Sequence, residues 1–259
     1  MRQFDVFVFD ENYDEAQGKL PQPPFTDPEL GWFFTSDWNK HLDEIEGEWV
    51  IFAHPSIKIN RNFLNNVAEV TDSFPMVDAF APRIRTDKGK FLGGYLLKPA
   101  AKCSGFVEID ENAPLRYVAA PHPFLAVFSR RIIQRTGGFD TTLPEYARLA
   151  DFTLRMMHAG GKMFSVPYLV AQATNEEAET VVSNASSEKA CGLMGVRDLK
   201  SIAIILSKAF GAEASVPFAL HHPSVILMLL SNRKQRKEKR KAATLLSKLK
   251  ADFLKEVTL

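Results

Sequence analysis

Residues 47–56 read GEWVIFAHPS. Five apolar residues, Trp49 to Ala53, run without a polar break into His54-Pro55-Ser56. A short, uninterrupted apolar run that ends in turn residues reads as a strand buried on both faces, the pattern of a sheet with helices on either side. In such sheets ligands bind in the crevice outside the carboxyl ends of the strands. The polar cluster that closes this strand is therefore the first place to look for chemistry.

Working outward, VFVF (6–9) is a second buried strand that stops at acidic residues. LPQPPFTDPELG (20–31) carries four prolines and reads as a loop. Ser36 or Asp37 offers an N-cap for a polar helix running through HLDEIEG to Gly47. NRNFLNNVAEV (60–70) fits a helix with Phe63, Leu64 and Val67 on one face, and VDAFAPRI (77–84) a further strand. DKGK then marks a turn into FLGGYLL. In LPEYARLADFTLRMMHAGGK, Tyr146, Leu149, Phe152, Leu154 and Met156 or Met157 make a helical apolar face that ends at Gly160-Gly161. MFSVPYLV follows as a strand whose Pro167 favours an edge or irregular position. SNASSEKACG (183–192) reads as a linker, dividing the chain into an α/β unit (1–182) and a helical C-terminal extension (183–259).

Composition bounds the class. At 259 residues, 46% hydrophobic and 24% charged, the chain is an ordinary globular protein with room for one large core. It has no run of roughly 18 apolar residues, and its N-terminal apolar run is short and carries Asp5 and Asp10, so neither a transmembrane helix nor a signal peptide is expected. Cys103 and Cys191 stand far apart and read as reduced thiols, which fits a cytoplasmic protein. The net charge of +1 hides an asymmetry: RKQRKEKRK (233–241) is +6, so the rest of the chain is −5.

Three stretches in order, WNKHLDEIEGEWVIFAHPS, FSRRIIQRTGGFD and LADFTLRMMHAGGK, resemble family 2 glycosyltransferases of the GT-A fold. That family carries an Asn, a Gly-Glu eight residues later, a hydrophobic strand and an Asp-x-Asp; farther on come Gly-Gly-Phe-Asp, a Glu-Asp pair and Asp-Leu-x-x-Arg before a Gly. Asn39, Gly47-Glu48, Gly137-Gly138-Phe139-Asp140, Asp151 and Arg155 take those places, over roughly residues 1–172. The resemblance implies an α/β fold of GT-A type, a Rossmann-like mixed sheet. It implies transfer of a sugar from a nucleotide-sugar donor to a polysaccharide or other glycan acceptor.

The departures are specific. His54-Pro55-Ser56 stands where the resemblance implies Asp-x-Asp, which holds a divalent cation on the donor diphosphate through carboxylate oxygens. Arg148-Leu149 stands where it implies the Glu-Asp that supplies the general base, and Glu145 is the nearest upstream carboxylate and hence the candidate for catalysis. Manganese or magnesium is expected only if this altered site still holds one, and no residue is assigned as a metal ligand. The family uses two strand–helix units before its Asn. Here about 38 residues precede Asn39, so one unit is expected to be missing. VFVFDENYDE would be the family's first strand or, preferably, the one ending Asp-Asp-Gly-Ser.

The candidate nucleotide-sugar contacts are Asp10, Asn39, His54 and Ser56, and the candidate acceptor-side residues are His122 and Asp140, on loops around 122–128 and 137–145. His54 and His122 facing one another would be a weak transition-metal pair without a carboxylate. Alternatively, both histidines are packed loop residues. His221-His222-Pro223 lies outside the resemblance and reads as a cap or turn. Beyond it Ala242, Leu245, Leu246, Leu249, Phe253 and Val257 share a helical face beside the basic run. Such a helix packs on the acidic body, pairs with a second subunit, or lies on an anionic membrane from the inner face. Nucleic acid is not expected, because no aromatics interleave the basic residues. Two functions remain open: a glycosyltransferase-like enzyme, or a non-catalytic binding or scaffold module that has lost the metal site.

Overall fold

The computed structural model describes residues 2–10, 13, 23–86, 89–97, 106–141, 143 and 145–174. In chain order the strands and helices are β1 (Phe4–Phe9), β2 (Leu30–Thr35), β3 (Trp49–Ala53), β4 (Ile57–Lys58), α1 (Arg61–Ser73), β5 (Ala79–Arg85), β6 (Phe91–Leu92), β7 (Tyr95–Leu97), β8 (Phe106–Glu108), β9 (Arg116–Tyr117), β10 (Leu125–Ser129), α2 (Arg130–Thr136), α3 (Glu145–His158) and β11 (Met163–Ala173). The main sheet runs β2-β1-β3-β10-β5-β11-β4, with β6 on β5 and β9 on β11. β1 is parallel to both β2 and β3, β10 is antiparallel to β3 and β5, and β5 is parallel to β11. This mixed α/β sheet is what the apolar runs imply.

Every residue of β3 is buried, because a layer lies on each face. Val50 and Phe52 join Phe7, Phe9, Phe128 and α3 residues such as Phe152 in one core. Trp49, Ile51 and Ala53 join Val6, Phe80 and the α1 residues Phe63 and Val67 in the other. α1 begins where Asn60 caps it, its Oδ1 accepting from Phe63 N at 2.9 Å. α2 begins on Ser129 in the same way and stops at Gly137, whose φ of +80° suits glycine.

Three expectations are corrected. The loop read into 20–31 conceals the start of β2: LGWFFT pairs with β1 along its whole length. Two strands therefore precede Asn39, and the strand expected to be missing is present. β1 is the first of them and lies directly beside β3, so it is not the second strand that the reading preferred. The helix expected from Ser36 to Gly47 is a single 3-10 turn, Leu42–Glu44. Side chains compete there for the backbone: Asp37 N donates to Thr35 Oγ1 at 3.0 Å and Asn39 N to Asp37 Oδ1 at 2.9 Å. His41 then takes the left-handed conformation at φ +65°, which ends any helical run. FLGGYLL, finally, is two strands, because Gly93 and Gly94 at φ +119° and +82° turn the chain out of the main sheet to form the β7–β8 hairpin.

Pro167 falls where the β11–β5 register shifts, between Ser165 and Val170, which fits a residue with no N–H to give. Arg83 on β5 holds the 109–115 loop by donating to the carbonyls of Glu111 and Ala113. Burial pushes its guanidinium below the usual arginine range, and nearby Asp110 pushes back. No described helix is long and apolar enough to cross a membrane. The linker, the extension, its basic helix, Cys103, Cys191 and His221-His222 lie outside the described residues.

Candidate functional site

The carboxyl ends of β1, β2 and β3 lie side by side, and β10, running the other way, begins at the same edge. Asp10 follows β1, with its N–H on Thr35 O at 3.2 Å. His54 follows β3, with its N–H on Phe124 O at 2.9 Å just before β10. The sheet thus brings Asp10, the Asp37–Asn39 turn, His54 and Phe124 to one edge.

His54-Pro55-Ser56 is a tight turn. Ile57 N donates to His54 O at 2.9 Å, and Ser56 N donates to His54 Nδ1 at 3.1 Å. His122-Pro123-Phe124 repeats the device: Leu125 N reaches His122 O at 3.1 Å and Phe124 N reaches His122 Nδ1 at 3.1 Å. In both turns the imidazole accepts from the backbone two residues on, as an Asp or Asn does in an Asx-turn. His54 therefore copies what a carboxylate would do for the loop's shape, and its Nδ1 is spent doing so. The two imidazoles do not face one another as a metal pair. His54 stacks on the Phe124 ring at 4.1 Å, and His122 meets the same ring edge-on at 5.5 Å. His122 is wholly buried and caps this turn.

A divalent cation does not fit these residues. A hard cation takes carboxylate oxygens, and the His54–Ser56 turn presents an imidazole, whose Nδ1 accepts from Ser56 N, and a hydroxyl instead. Among the described residues no three His, Cys, Asp or Glu converge on a possible metal position.

Asn39 has a structural occupation that sequence alone did not reveal. Its Nδ2 donates to Phe139 O at 3.1 Å and its Oδ1 accepts from Phe139 N at 2.7 Å. The amide thus cross-links the edge to the Gly-Gly-Phe-Asp segment. Gly138 must stay glycine, since a Cβ there would stand 2.4 Å from Asn39 Oδ1. From the other side Arg155 gives its three guanidine nitrogens to Asp151 Oδ2 (2.9 Å), Thr136 O (3.2 Å) and Gly138 O (3.0 Å). Asp140 is buried in this braced loop, with Leu143 N on its carbonyl at 3.1 Å. Glu145 opens α3, and its side chain lies outside the described residues.

Between the strand ends and α3 lies a narrow slot lined by Phe9, Trp38, Phe52, His54, Phe124 and Leu149. Arg148-Leu149 stands in the place of the resemblance's Glu-Asp pair, and Leu149 gives the slot an apolar wall there. Trp38 stacks on Phe9 at 4.1 Å, and the Arg148 guanidinium lies over the indole at 5.8 Å. Trp38 is the slot residue that sequence reading did not single out.

No protein-family model matches the sequence, and no curated protein matches it. Solved structures do match in fold. GalNAc-T7, crystallised with UDP, GalNAc and Mn2+, superposes with a TM-score of 0.54 over 93% of this chain and 54% of that one, at 10% identity. The fold is GT-A. This chain thus spans about half the length of GalNAc-T7. S. aureus TarS 1-349 in complex with UDP-GlcNAc matches at TM-score 0.47 and 13% identity, over 93% of this chain and 79% of that chain. The mannosyltransferase PcManGT from Pyrobaculum calidifontis, in complex with GDP-Man and Mn2+, matches at 0.42 and 15%, over 95% and 87%. At these identities the likeness carries the GT-A architecture and no residue role.

If His54 serves the turn, His54→Ala should lower stability by about 0.5–1.5 kcal/mol, the worth of one hydrogen bond. His54→Asn keeps an acceptor for Ser56 N and should lose much less. Urea denaturation of the two variants checks this. Equal losses would show that the ring's bulk on Phe124, not its nitrogen, matters there.

Proposed function

We propose that the chain is a glycosyltransferase-like protein that takes a nucleotide sugar at the carboxyl edge of β1–β3 and serves a polysaccharide or other glycan acceptor. One observation supports this: a GT-A sheet with Asp10, Asn39, His54 and Ser56 at the carboxyl edge of its strands. In this reading Asp10 receives base or ribose hydroxyls, and Ser56 lies toward the diphosphate. Asn39 acts chiefly by holding Phe139, the 137–145 loop with Asp140 inside it borders the acceptor side, and Glu145, the nearest carboxylate upstream of Arg148-Leu149 in sequence, is the candidate for catalysis. The unit spans 1–182. The 183–259 extension, through its basic apolar-faced helix, meets an anionic inner membrane face, a second copy of the chain or the body itself, and the protein works in the cytoplasm.

A second reading is favoured by the apolar slot. With Leu149 and His54 at the base and metal positions, the chain is a non-catalytic module that binds the donor or the glycan without transfer. One thermal-shift panel of UDP-, GDP-, CDP- and ADP-sugars tests both, followed by an assay for nucleoside diphosphate release. A bound ligand raises stability by RT ln(1 + [L]/Kd), so weak binding registers at high concentration. A shift with turnover supports the enzyme, and a shift without turnover supports the module. No shift from any nucleotide sugar sinks the enzyme and leaves the module only as a glycan binder or scaffold.

A further inference from the structure

We infer that the cavity between β6 and the 111–114 loop is a glycan subsite, holding one neutral sugar of the acceptor chain away from the point of transfer. This rests on the glycan-binding part of the reading above and adds where a long acceptor is gripped. The cavity has a volume of about 310 Å³, and Arg83, Phe91, Glu111, Asn112, Pro114 and Pro167 line it. Small-ligand pockets run from roughly 300 to 1,000 Å³, so this one suits a single ring rather than a nucleotide. β9 pairs with β11 through Tyr117–Phe164 and Arg116–Ser165, which brings Pro114, just before β9, to Pro167 in the irregular part of β11.

A pyranose ring presents an apolar C–H face and a rim of hydroxyls, and the lining matches both. Phe91 and the two proline rings offer apolar surface, and the negative face of the aromatic ring attracts C–H groups. Glu111 and Asn112 supply hydrogen bonds: the carboxylate accepts from hydroxyls, and the amide both gives and accepts. Both side chains are exposed, and neither has a hydrogen bond or ion pair among the described residues. The frame is already set. Buried Arg83 donates to Glu111 O and, at 2.6 Å, to Ala113 O, while Asn112 N donates to Asp110 Oδ1 at 2.8 Å. Binding therefore has little backbone to order. Two carboxylates, Asp110 and Glu111, stand against the one guanidinium, so an anionic sugar meets repulsion and a neutral one does not. Leu115 and Tyr168, chain neighbours of the two prolines, are two of the three large hydrophobics that stand exposed among the described residues. Apolar side chains thus continue past the cavity in both segments. From Pro167 the chain runs on to Thr174, whose N donates to Ser56 O at 2.9 Å. At about 3.3 Å per strand residue, the donor turn lies roughly 20 Å along β11 from the cavity. An acceptor of several sugars spans that distance and a single sugar does not.

The test is calorimetric titration of the full chain with maltopentaose, cellopentaose, mannopentaose and chitopentaose, with a pentagalacturonate, and with the matching monosaccharides. At least one neutral pentasaccharide is expected to bind, more tightly than its monosaccharide and than the pentagalacturonate. The double variant Glu111→Ala, Asn112→Ala should weaken that binding by about tenfold or more, as loss of two hydrogen-bonding groups implies. It should melt as wild type does, because both side chains are exposed and serve no other residue. Any thermal shift that a nucleotide sugar gives in wild type should survive in it. Pentasaccharide binding that the double variant keeps within twofold overturns the inference and leaves the glycan reading standing. A monosaccharide that binds as tightly as its pentamer overturns it too, because the site then takes a free sugar. So does a pentagalacturonate that binds more tightly than every neutral chain. No binding of any oligosaccharide overturns the inference, while the nucleotide-sugar panel decides the donor reading separately.

Discussion

Arg155→Met is expected to lower the unfolding free energy by about 3–5 kcal/mol, because it leaves the buried Asp151 carboxylate without its partner. Asp151 is 1% exposed, and Arg155 bonds it at 2.9 Å. The same guanidinium caps Thr136 O and Gly138 O, so two carbonyls at the end of α2 lose their donors as well. Arg155→Lys keeps a charge beside Asp151 but cannot span the three acceptors, and its loss should fall between wild type and Met. Denaturant midpoints, read with unchanged m-values, report the difference. A loss below about 1 kcal/mol for Met would show that Asp151 is satisfied without Arg155.

Asp5→Ala is expected to cost about 2–6 kcal/mol, from orphaning one buried and one part-buried backbone donor at about 1–3 kcal/mol each. Asp5 is wholly buried on β1, and its Oδ2 accepts from Glu46 N at 2.8 Å and Gly47 N at 2.7 Å. Those bonds fix the corner from which β3 enters the sheet. Space around the carboxylate is tight: a Cβ on Gly31 would stand 2.1 Å from Oδ1, and one on Gly47 2.7 Å from Asp5 N. The cost should therefore appear in full, because larger neighbours cannot move in to replace the lost bonds. Hydrogen exchange at Glu46 and Gly47 should quicken in this variant. Unchanged protection there would mean that the corner stands without Asp5.

The fold was legible where burial alone determines it. β1, β3, α1, β5, α3 and β11 announce themselves by apolar runs or helical periodicity. It was illegible where side chains redirect the backbone. Thr35, Asp37 and a left-handed His41 turn an apparent helix into one 3-10 turn, and the prolines before LGWFFT mask an edge strand. At the site the sequence located the strand end but not what the residues there do. His54 fits the spacing of a ligand-binding acid, yet its nitrogen closes a turn. Asn39 meets Phe139 from 100 positions away, a contact that no local pattern encodes. The GT-A likeness and the loss of its carboxylates were visible as motif order, while the gathering of Trp38, His54, Phe124 and Leu149 around one slot needed three dimensions.

The most direct measurement is a crystal structure of the full chain with the nucleotide sugar that gives the largest thermal shift, grown in EDTA. The account expects the nucleotide at the carboxyl ends of β1–β3, with Asp10 on its nucleoside side, Ser56 toward the diphosphate, and His54 still closing its turn. A ligand bound elsewhere, or one whose diphosphate sits on a metal held at His54–Ser56, would contradict it.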